Sequence, residues 1–346
     1  MTDAELIARL GSVPLFADLD ERERSDIAIG VRLLCFAPGE ALMRQGEKSD
    51  GIYFILSGQV QVTTRLPGGG ETLITELGPG STLGELALIR STPRTATVTA
   101  SEPVEAVYAD WRFLRAALGQ LRPGAFKVFR SLAIMLAGRL RVLHDRIRES
   151  AICSDCPYEM LRLPPPPNEP PAGAPNGIDV AAFLPVLPCF RDFDRESLQA
   201  VQAQAAIVAV RRGYHLLALD RAPREMWIVV RGAVASGFVD SGSIHLVNVR
   251  GPGSFCAVDP LIEDRPANAD YIVCANAVLL AIPREGFREL FLGVDQPALQ
   301  FLTAVTDHQA AMIARATNHL KRLVGLSRLL HQLRAAPRAA VSPEVT

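Results

Sequence analysis

The sequence of 346 residues lacks the features that mark several classes of protein. It has no run of roughly 18 apolar residues, so no transmembrane helix is predicted. The first residues are acidic and no basic stretch leads into an apolar one, so no secretory signal is predicted and we expect the chain in the cytoplasm. Its 36 basic and 37 acidic side chains balance, which disfavours non-specific binding of nucleic acid.

Catalytic and metal-binding patterns are also missing. The sequence shows no nucleophile paired with a base and no full set of metal ligands, and its 6 histidines are scattered, so it does not predict an enzyme or a cofactor. The 6 cysteines are too few for a disulfide framework in a chain of this length. Four of them are predicted to be buried thiols: Cys35, Cys189, Cys256 and Cys274.

The other two cysteines, Cys153 and Cys156, form a single Cys-x-x-Cys. This spacing fits half of a zinc site that a dimer mate would complete, or a redox pair. Because no second pair and no histidine lie nearby in the sequence, simple thiols are the favoured interpretation.

A set of short motifs occurs twice in the chain at a constant spacing of 174 residues. The matching pairs are Phe16 with Phe190, Gly39 with Gly213, and Gly58 with Gly232. A constant spacing over several positions indicates an internal duplication. The spacing slips by one at Gly80 against Gly253 and returns to 174 at Phe113 against Phe287, so the second copy has a reshaped segment between these points.

Residues 151–178 separate the two copies and are rich in proline, with four in a row from Pro164. This composition predicts an extended, semi-rigid linker that also contains the Cys-x-x-Cys. The predicted domains are therefore residues 10–150, the linker at 151–178, and residues 179–346.

The predicted fold is mainly β with flanking α-helices: two tandem β-rolls of the jelly-roll type, each with N-terminal and C-terminal helices. Short β-branched and aromatic runs at residues 52–56 and 60–63 predict strands, and helices are predicted at 20–29 and at 111–149 with a break near Pro123. The later helix carries one apolar stripe, made of Phe129, Leu132, Leu136, Leu140 and Leu143.

The segment at 81–98 carries the chemistry that is most informative about function. Gly84 lets the backbone approach a ligand closely, Glu85 suits a sugar hydroxyl, and the forked donors of Arg94 suit phosphate oxygens. With the Arg-Gln-Gly-Glu motif at 44–47, these residues resemble the cyclic nucleotide-binding domain of catabolite-activator-type regulators, kinase regulatory subunits and nucleotide-gated channels. The resemblance covers about residues 10–148.

The resemblance implies a phosphate-binding cassette in the first copy. Glu85 would accept a hydrogen bond from the ribose 2′-hydroxyl, Arg94 would pair with the cyclic phosphate, and the amides of Leu86 and Ala87 would point at the anion. The Pro-Arg-Thr-Ala motif is completed by Thr95 and Ala96. Thr95 stands where a hydroxyl can contact guanine in some family members, so cyclic AMP and cyclic GMP both remain candidates.

The resemblance also implies a lid helix after the roll, whose end, at Leu143 and His144, would reach the base of the nucleotide. In the second copy Val258 stands where the glutamate is expected, Ala257 replaces the glycine, and the arginine position falls on Ala267 or Asn268. A buried phosphate without a guanidinium is costly, so the second copy is predicted to have lost ordinary nucleotide binding and to serve in packing or output.

The C-terminal part has no acidic residue from His308 to Pro343 and predicts a basic amphipathic helix. Its apolar side fits packing on a roll or a second subunit, or contact with an acidic partner or membrane surface. Too few residues follow for a helix-turn-helix, so no DNA-binding module is predicted, and the long helices favour a homodimer. The sequence thus predicts a cyclic nucleotide receptor that acts on a protein partner. The alternative is a ligand-free interaction scaffold that uses the same fold, with the Cys pair, as a metal or redox site, or the basic helix carrying the function.

Overall fold

The computed structural model describes residues 3–65, 71–85, 92–153, 160–162, 164, 180–240 and 242–335. Over these residues it confirms two β-rolls with flanking helices. In the first copy the elements are α1 (Asp3–Leu10), α2 (Glu21–Ala28), β1 (Val31–Phe36), β2 (Ala41–Met43), β3 (Gly51–Ser57), β4 (Val60–Arg65), β5 (Glu71–Leu77), β6 (Thr82–Leu83), β7 (Thr97–Ala100), β8 (Val104–Asp110), α3 (Trp111–Gly119) and α4 (Pro123–Cys153).

The first roll is made of two antiparallel four-stranded sheets, in the strand orders β1-β8-β3-β6 and β2-β7-β4-β5. Side chains from both sheets, among them Met43, Ile55, Leu83 and Val98, form one apolar cluster in the roll interior. The sheets therefore pack face to face around a shared core, and β6 leads directly from that core into the predicted cassette.

The second copy repeats this order with longer strands. Its elements are β9 (Met160–Arg162), α5 (Val180–Phe183), α6 (Arg195–Ala203), β10 (Ala206–Val210), β11 (His215–Leu217), β12 (Glu225–Asp240), β13 (Ser243–Arg250), β14 (Phe255–Cys256), α7 (Val258–Glu263), β15 (Asp270–Pro283), α8 (Arg284–Leu292) and α9 (Gln296–Ala335). Strand β12 spans the counterparts of β3 and β4, and β15 spans the counterparts of β7 and β8. As a result, the second copy has one seven-stranded sheet in place of two four-stranded sheets.

A short part of the predicted linker pairs with the second roll. Residues 160–162 form β9, which pairs antiparallel with β13, Arg162 standing opposite Ser243. The composition favours an extended backbone. Here that backbone pairs with the hydrogen-bonding groups at the edge of the sheet. Residues 151–153 continue helix α4, and apart from residue 164 the rest of the linker lies outside the described residues.

Local sequence explains where the main helices begin. Asp20 caps α2, its side chain accepting from the Glu23 amide while the Glu23 carboxylate accepts from the Asp20 amide. Asp110 caps α3 in the same way by accepting from two backbone amides. Proline at the first position of α4 favours a new helix start, and this confirms the predicted break near Pro123.

Helix α4 lies at the centre of the molecule. Its stripe residues Phe129, Leu132, Leu136 and Leu140 are buried in an apolar cluster that also contains Phe301 of α9. The α4 side chain of Arg130 donates to the carbonyl oxygens of Phe291, Leu292 and Gly293, at 2.9, 2.7 and 2.5 Å, and so caps the C-terminus of α8. The two copies therefore share one continuous core through α4.

Two further sequence interpretations can be compared with the structure. Of the four cysteines predicted to be buried, Cys256 is buried, Cys189 and Cys274 are partly buried, and Cys35 is exposed on β1. The prediction is wrong for Cys35 because the outer face of this strand meets solvent. Among the described residues, no helix has the length and apolar character needed to span a bilayer.

Gly58 gives a test of the duplicated turn. It has φ 82°, and a Cβ there would lie 2.2 Å from the Pro103 carbonyl oxygen; its counterpart Gly232 has φ 90° and meets the Asn276 carbonyl oxygen at 2.3 Å. We predict that Gly58→Ala lowers the free energy of unfolding by about 3 kcal/mol, from left-handed strain plus the clash. Urea unfolding measures the change.

Gly80→Ala is the matched control, because φ is 84° there but nothing lies within 4 Å of the added methyl group. It should cost about 1 kcal/mol from strain alone. Equal losses in the two variants would contradict the predicted clash.

Candidate functional site

The first-copy cassette begins at Gly84, directly after β6. Gly84 has φ 87°, and a Cβ at this position would lie 2.1 Å from Nη1 of Arg94. The missing side chain lets the Arg94 guanidinium reach the backbone, where Nη1 donates to the Gly84 carbonyl oxygen at 3.1 Å. The structure thus brings together the glycine and the arginine that the sequence analysis singled out.

The guanidinium of Arg94 is buried, with 4% of the residue exposed. Its Nη2 donates to the Gly51 carbonyl oxygen at 2.8 Å and to the Asp50 carboxylate at 3.4 Å. Asp50 is 65% exposed, so water screens this ion pair. Carbonyl oxygens orient the guanidinium without neutralising it, and the site keeps a positive charge that suits a phosphate.

Glu85 follows Gly84 in the chain and is also buried, with 3% of the residue exposed. Its carboxylate pairs with the guanidinium of Arg139 on α4, whose side chain is half-exposed. Met135, one turn earlier on α4, contacts β6 directly before the cassette, its sulfur lying 3.9 Å from the Thr82 hydroxyl. Helix α4 therefore closes on the first-copy cassette through Met135 and Arg139.

The sequence analysis missed these two α4 residues. The available signal was their spacing of four on a helix, next to the stripe residues Leu136 and Leu140. Of the other predicted site residues, Thr95 is exposed and Ala96 is partly buried beside Arg94.

Some predicted positions cannot be compared with the structure. Leu86, Ala87 and Cys156 lie outside the described residues, as does the side chain of Cys153. Among the residues that the structure does describe, no cluster of three His, Cys, Asp or Glu side chains is placed to hold a metal ion.

The end of the predicted lid faces the second copy in this conformation. Leu143 is partly buried against the shared core. His144 is buried in a narrow cleft between α4 and the second copy, which Asp259, Asn268 and Tyr271 also line. The predicted contact of Leu143 and His144 with a nucleotide base stays a prediction.

Burial lowers the pKa of His144 to about 3, and the charges of Arg250 and Arg141 act in the same direction, while a hydrogen bond with Asn268 opposes them. The imidazole is therefore neutral at physiological pH. Its neutrality matches its place in the buried contact between the two copies.

Backbone hydrogen bonds decide which residue of the second copy stands in the place of Arg94. The Arg94 carbonyl accepts from Gly46 at 2.9 Å, and Ala267 accepts from Asp220 at 2.8 Å in the matching ladder. Since Asp220 lies 174 residues after Gly46, Ala267 and not Asn268 occupies the arginine position.

The rest of the second cassette has changed as well. Ala257 takes the glycine position and keeps a left-handed conformation with φ 57°, and buried Val258 takes the glutamate position. Arg224 stands where the first copy has Asp50. The Asp50 carbonyl accepts from the first residue of α3, and the Arg224 carbonyl accepts from the first residue of α8. The second copy therefore lacks both charged groups that characterise the first cassette.

The comparisons with known proteins agree with this geometry. The model of the cyclic nucleotide-binding domain matches residues 33–120 and 207–293, which together are half of the chain. The chain belongs to the cyclic nucleotide-binding domain family. Both rolls are thus cyclic nucleotide-binding domains by descent, including the one whose cassette has lost its charges.

The match to each individual relative covers part of this chain and part of that relative. A CRP-like cAMP-activated global transcriptional regulator of Mycobacterium tuberculosis is 31% identical over 158 residues, which are 46% of this chain and 67% of the relative. A cGMP-dependent protein kinase of Eimeria tenella is 28% identical over 152 residues, 44% of this chain and 13% of the kinase. The regulatory domain of Toxoplasma gondii PKA, solved with cAMP, covers 84% of this chain and 93% of its own at 17% identity and a TM-score of 0.30.

His144 predicts a pH dependence of stability. Its pKa in the folded chain lies below the ordinary value near 6.5, so below that pH the unfolded chain binds an extra proton and stability falls as the pH falls towards 3. We predict that His144→Asn reduces this loss by up to about 1.4 kcal/mol per pH unit, as measured by urea unfolding from pH 6.5 to 4.5. The exposed His215→Asn is the control, and equal pH slopes in both variants would contradict the assignment.

Proposed function

We propose that this chain is a regulatory, non-enzymatic cyclic nucleotide receptor that binds its ligand in the first copy and passes the signal through α4 to the second copy and a protein partner. The observation that carries the proposal is that Arg94, whose guanidinium donates to the Gly84 carbonyl, and Glu85, the residue after Gly84, are both buried. Within a family cassette, these two groups match the two polar parts of a cyclic nucleotide, the phosphate and the ribose.

The phosphate part of the proposal rests on how Arg94 is held. The carbonyl oxygens of Gly84 and Gly51 fix the guanidinium in place before any ligand arrives. Such preorganisation lowers the cost of binding, because the arginine loses little freedom when the phosphate pairs with it. Each charge-assisted hydrogen bond formed then contributes on the order of 1.5–3 kcal/mol.

The ribose part involves helix α4 directly. A ribose 2′-hydroxyl that donates to Glu85 meets a carboxylate already paired with Arg139. The hydroxyl must therefore share the carboxylate with Arg139 or replace it. Either event changes a contact between α4 and the cassette, so the ligand has a differential interaction with two positions of α4, as a ligand-driven change requires.

The other side of α4 is tied to the second copy. Arg141 pairs with Glu263 of α7 at 2.7 Å, and the Asn268 side chain donates to the Arg141 carbonyl at 3.1 Å. Further along, the Gln309 amide of α9 donates to the Ala133 carbonyl at 3.0 Å. A shift of α4 at the first cassette must strain or break these contacts, which gives the signal a physical route.

For the nucleotide base, the proposal admits both adenine and guanine. The relatives include a cAMP-activated regulator and a cGMP-dependent kinase, and the exposed Thr95 hydroxyl is compatible with either base. Cytoplasmic location and a homodimer stay predictions. The existing Glu85–Arg139 pair favours the alternative function, a ligand-free scaffold that uses the same fold.

Arg94 provides the direct test. We predict that cyclic AMP or cyclic GMP binds the full chain and that Arg94→Ala weakens the binding about a hundredfold or more, because the phosphate loses its charge-assisted bonds. Arg94→Lys keeps the charge without the fork and should give an intermediate loss. Calorimetry measures the affinities, and thermal unfolding checks that each variant is folded.

The matched control is Arg112→Ala, which removes an exposed arginine of the same copy. Unchanged affinity in Arg94→Ala would overturn the site. A wild-type chain that neither nucleotide stabilises would instead support the scaffold.

The link through α4 generates a separate prediction. The double variant Arg141→Met, Glu263→Gln removes a partly buried ion pair at similar side-chain size, and the second partner of Glu263, Arg265, is exposed and screened by water. We expect nucleotide affinity within about threefold of wild type, but loss of the nucleotide-induced change in hydrogen exchange of α7. Arg146→Ala, exposed on α4, is the control, and a retained response in the double variant would contradict this route.

A further inference from the structure

The second copy has an arginine where the first copy has a leucine. In the first roll, Val60 of β4 stands opposite Leu77 of β5. In the second roll, Val234 lies 174 residues after Val60 and stands opposite Arg250 at the end of β13. Arg250 is 1% exposed, so a guanidinium has entered the interior of a roll whose cassette has lost its own charged groups.

A second position in the same interior has become larger. Val98 of β7 stands opposite Met43 in the first roll, and Tyr271 stands opposite Leu217 in the second. Val98 belongs to the apolar cluster of the first roll. Tyr271, with 2% exposed, replaces this small side chain by a phenol ring.

The two enlarged side chains contact each other. The guanidinium carbon of Arg250 lies 5.3 Å from the centre of the Tyr271 ring, within the range of a cation–π interaction. Among the described residues, no carboxylate lies within ion-pair distance of Arg250, and its Nε has no hydrogen-bond partner. The ring and two polar atoms hold the charge.

One of those two polar atoms belongs to β14, which leads into the degenerate cassette, and the other belongs to α9. Nη1 of Arg250 donates to the Phe255 carbonyl at 2.8 Å, two residues before Ala257, and lies 3.1 Å from Nε2 of His308 on α9. A guanidinium only donates, so His308 Nε2 accepts. Burial and the Arg250 charge lower the pKa of His308, which keeps its imidazole neutral for this role.

Helix α9 stands in the second copy where α4 stands in the first, following the same short helix after the roll. A second bond fixes it: Gln309, next to His308, donates to the Asp259 carboxylate of α7 at 2.9 Å. Arg250 and Gln309 thus join the cassette segment to α9, as the Glu85–Arg139 pair joins the first cassette to α4.

We propose that the Arg250 guanidinium, stacked on Tyr271, is a built-in occupant of the second copy that holds α9 closed on the degenerate cassette without any ligand. The second copy is then a permanently closed platform on which α4 packs. This inference does not depend on nucleotide binding in the first copy.

Hydrogen exchange of α9 in the full chain, followed over residues 296–323, tests the proposal. Arg250→Leu introduces the first-copy residue, and Arg250→Lys keeps the charge but loses the planar fork. Both should speed exchange of α9 by about tenfold or more, because the link from Phe255 to His308 is lost. Arg288→Ala, an exposed arginine on α8, should leave the exchange unchanged.

A rescue experiment makes the test specific to the guanidinium. In Arg250→Ala, ethylguanidinium at millimolar concentration should slow the exchange of α9 again, whereas ethylammonium should not. Should the alanine variant fail to fold, the leucine and lysine variants decide, because they fill the same space. Exchange of α9 equal to the Arg288→Ala control in both of those variants would overturn the proposal.

Discussion

A guanidinium taken out of water needs acceptors, and the two copies of this fold meet that need in different ways. In the first copy Arg94 is oriented by carbonyl oxygens, lies 5.9 Å from the centre of the Tyr53 ring and is only weakly compensated by the exposed Asp50. An unpaired buried charge costs several kcal/mol, so this site gains from an anionic ligand. In the second copy Arg250 satisfies part of the same need internally, through Tyr271 and His308. The same fold thus carries a site suited to a ligand in the first copy and an internally filled site in the second.

Helix α4 connects these two solutions. One side presents Arg139 to Glu85 of the first cassette, and the other presents Arg141 to Glu263 of the second. Because its apolar stripe is buried in a core that both copies share, α4 cannot move at one cassette without disturbing the other. If the second copy is fixed, a change in the position of α4 starts at the first cassette, where a ligand alters the Glu85–Arg139 pair.

Sequence patterns predicted those parts of the structure that depend on local chemistry. The constant spacing gave the duplication and its one-residue slip, and the proline gave the start of α4. Residues that act across the interface between the copies were missed or misplaced. Arg139 pairs with Glu85, and His144 faces the second copy, because α4 packs between the two rolls. The buried role of Arg250 likewise depends on its contact with His308, 58 residues away in the sequence, which no local pattern encodes.

The number of nucleotides bound per chain is the most direct measurement of this account. Titration calorimetry of cyclic AMP and cyclic GMP into the full wild-type chain counts sites without any substitution. One charged cassette and one internally filled copy predict a single site per chain for the preferred nucleotide. Two sites per chain would contradict the filled second copy, and no binding of either nucleotide would contradict the charged first cassette as a receptor site.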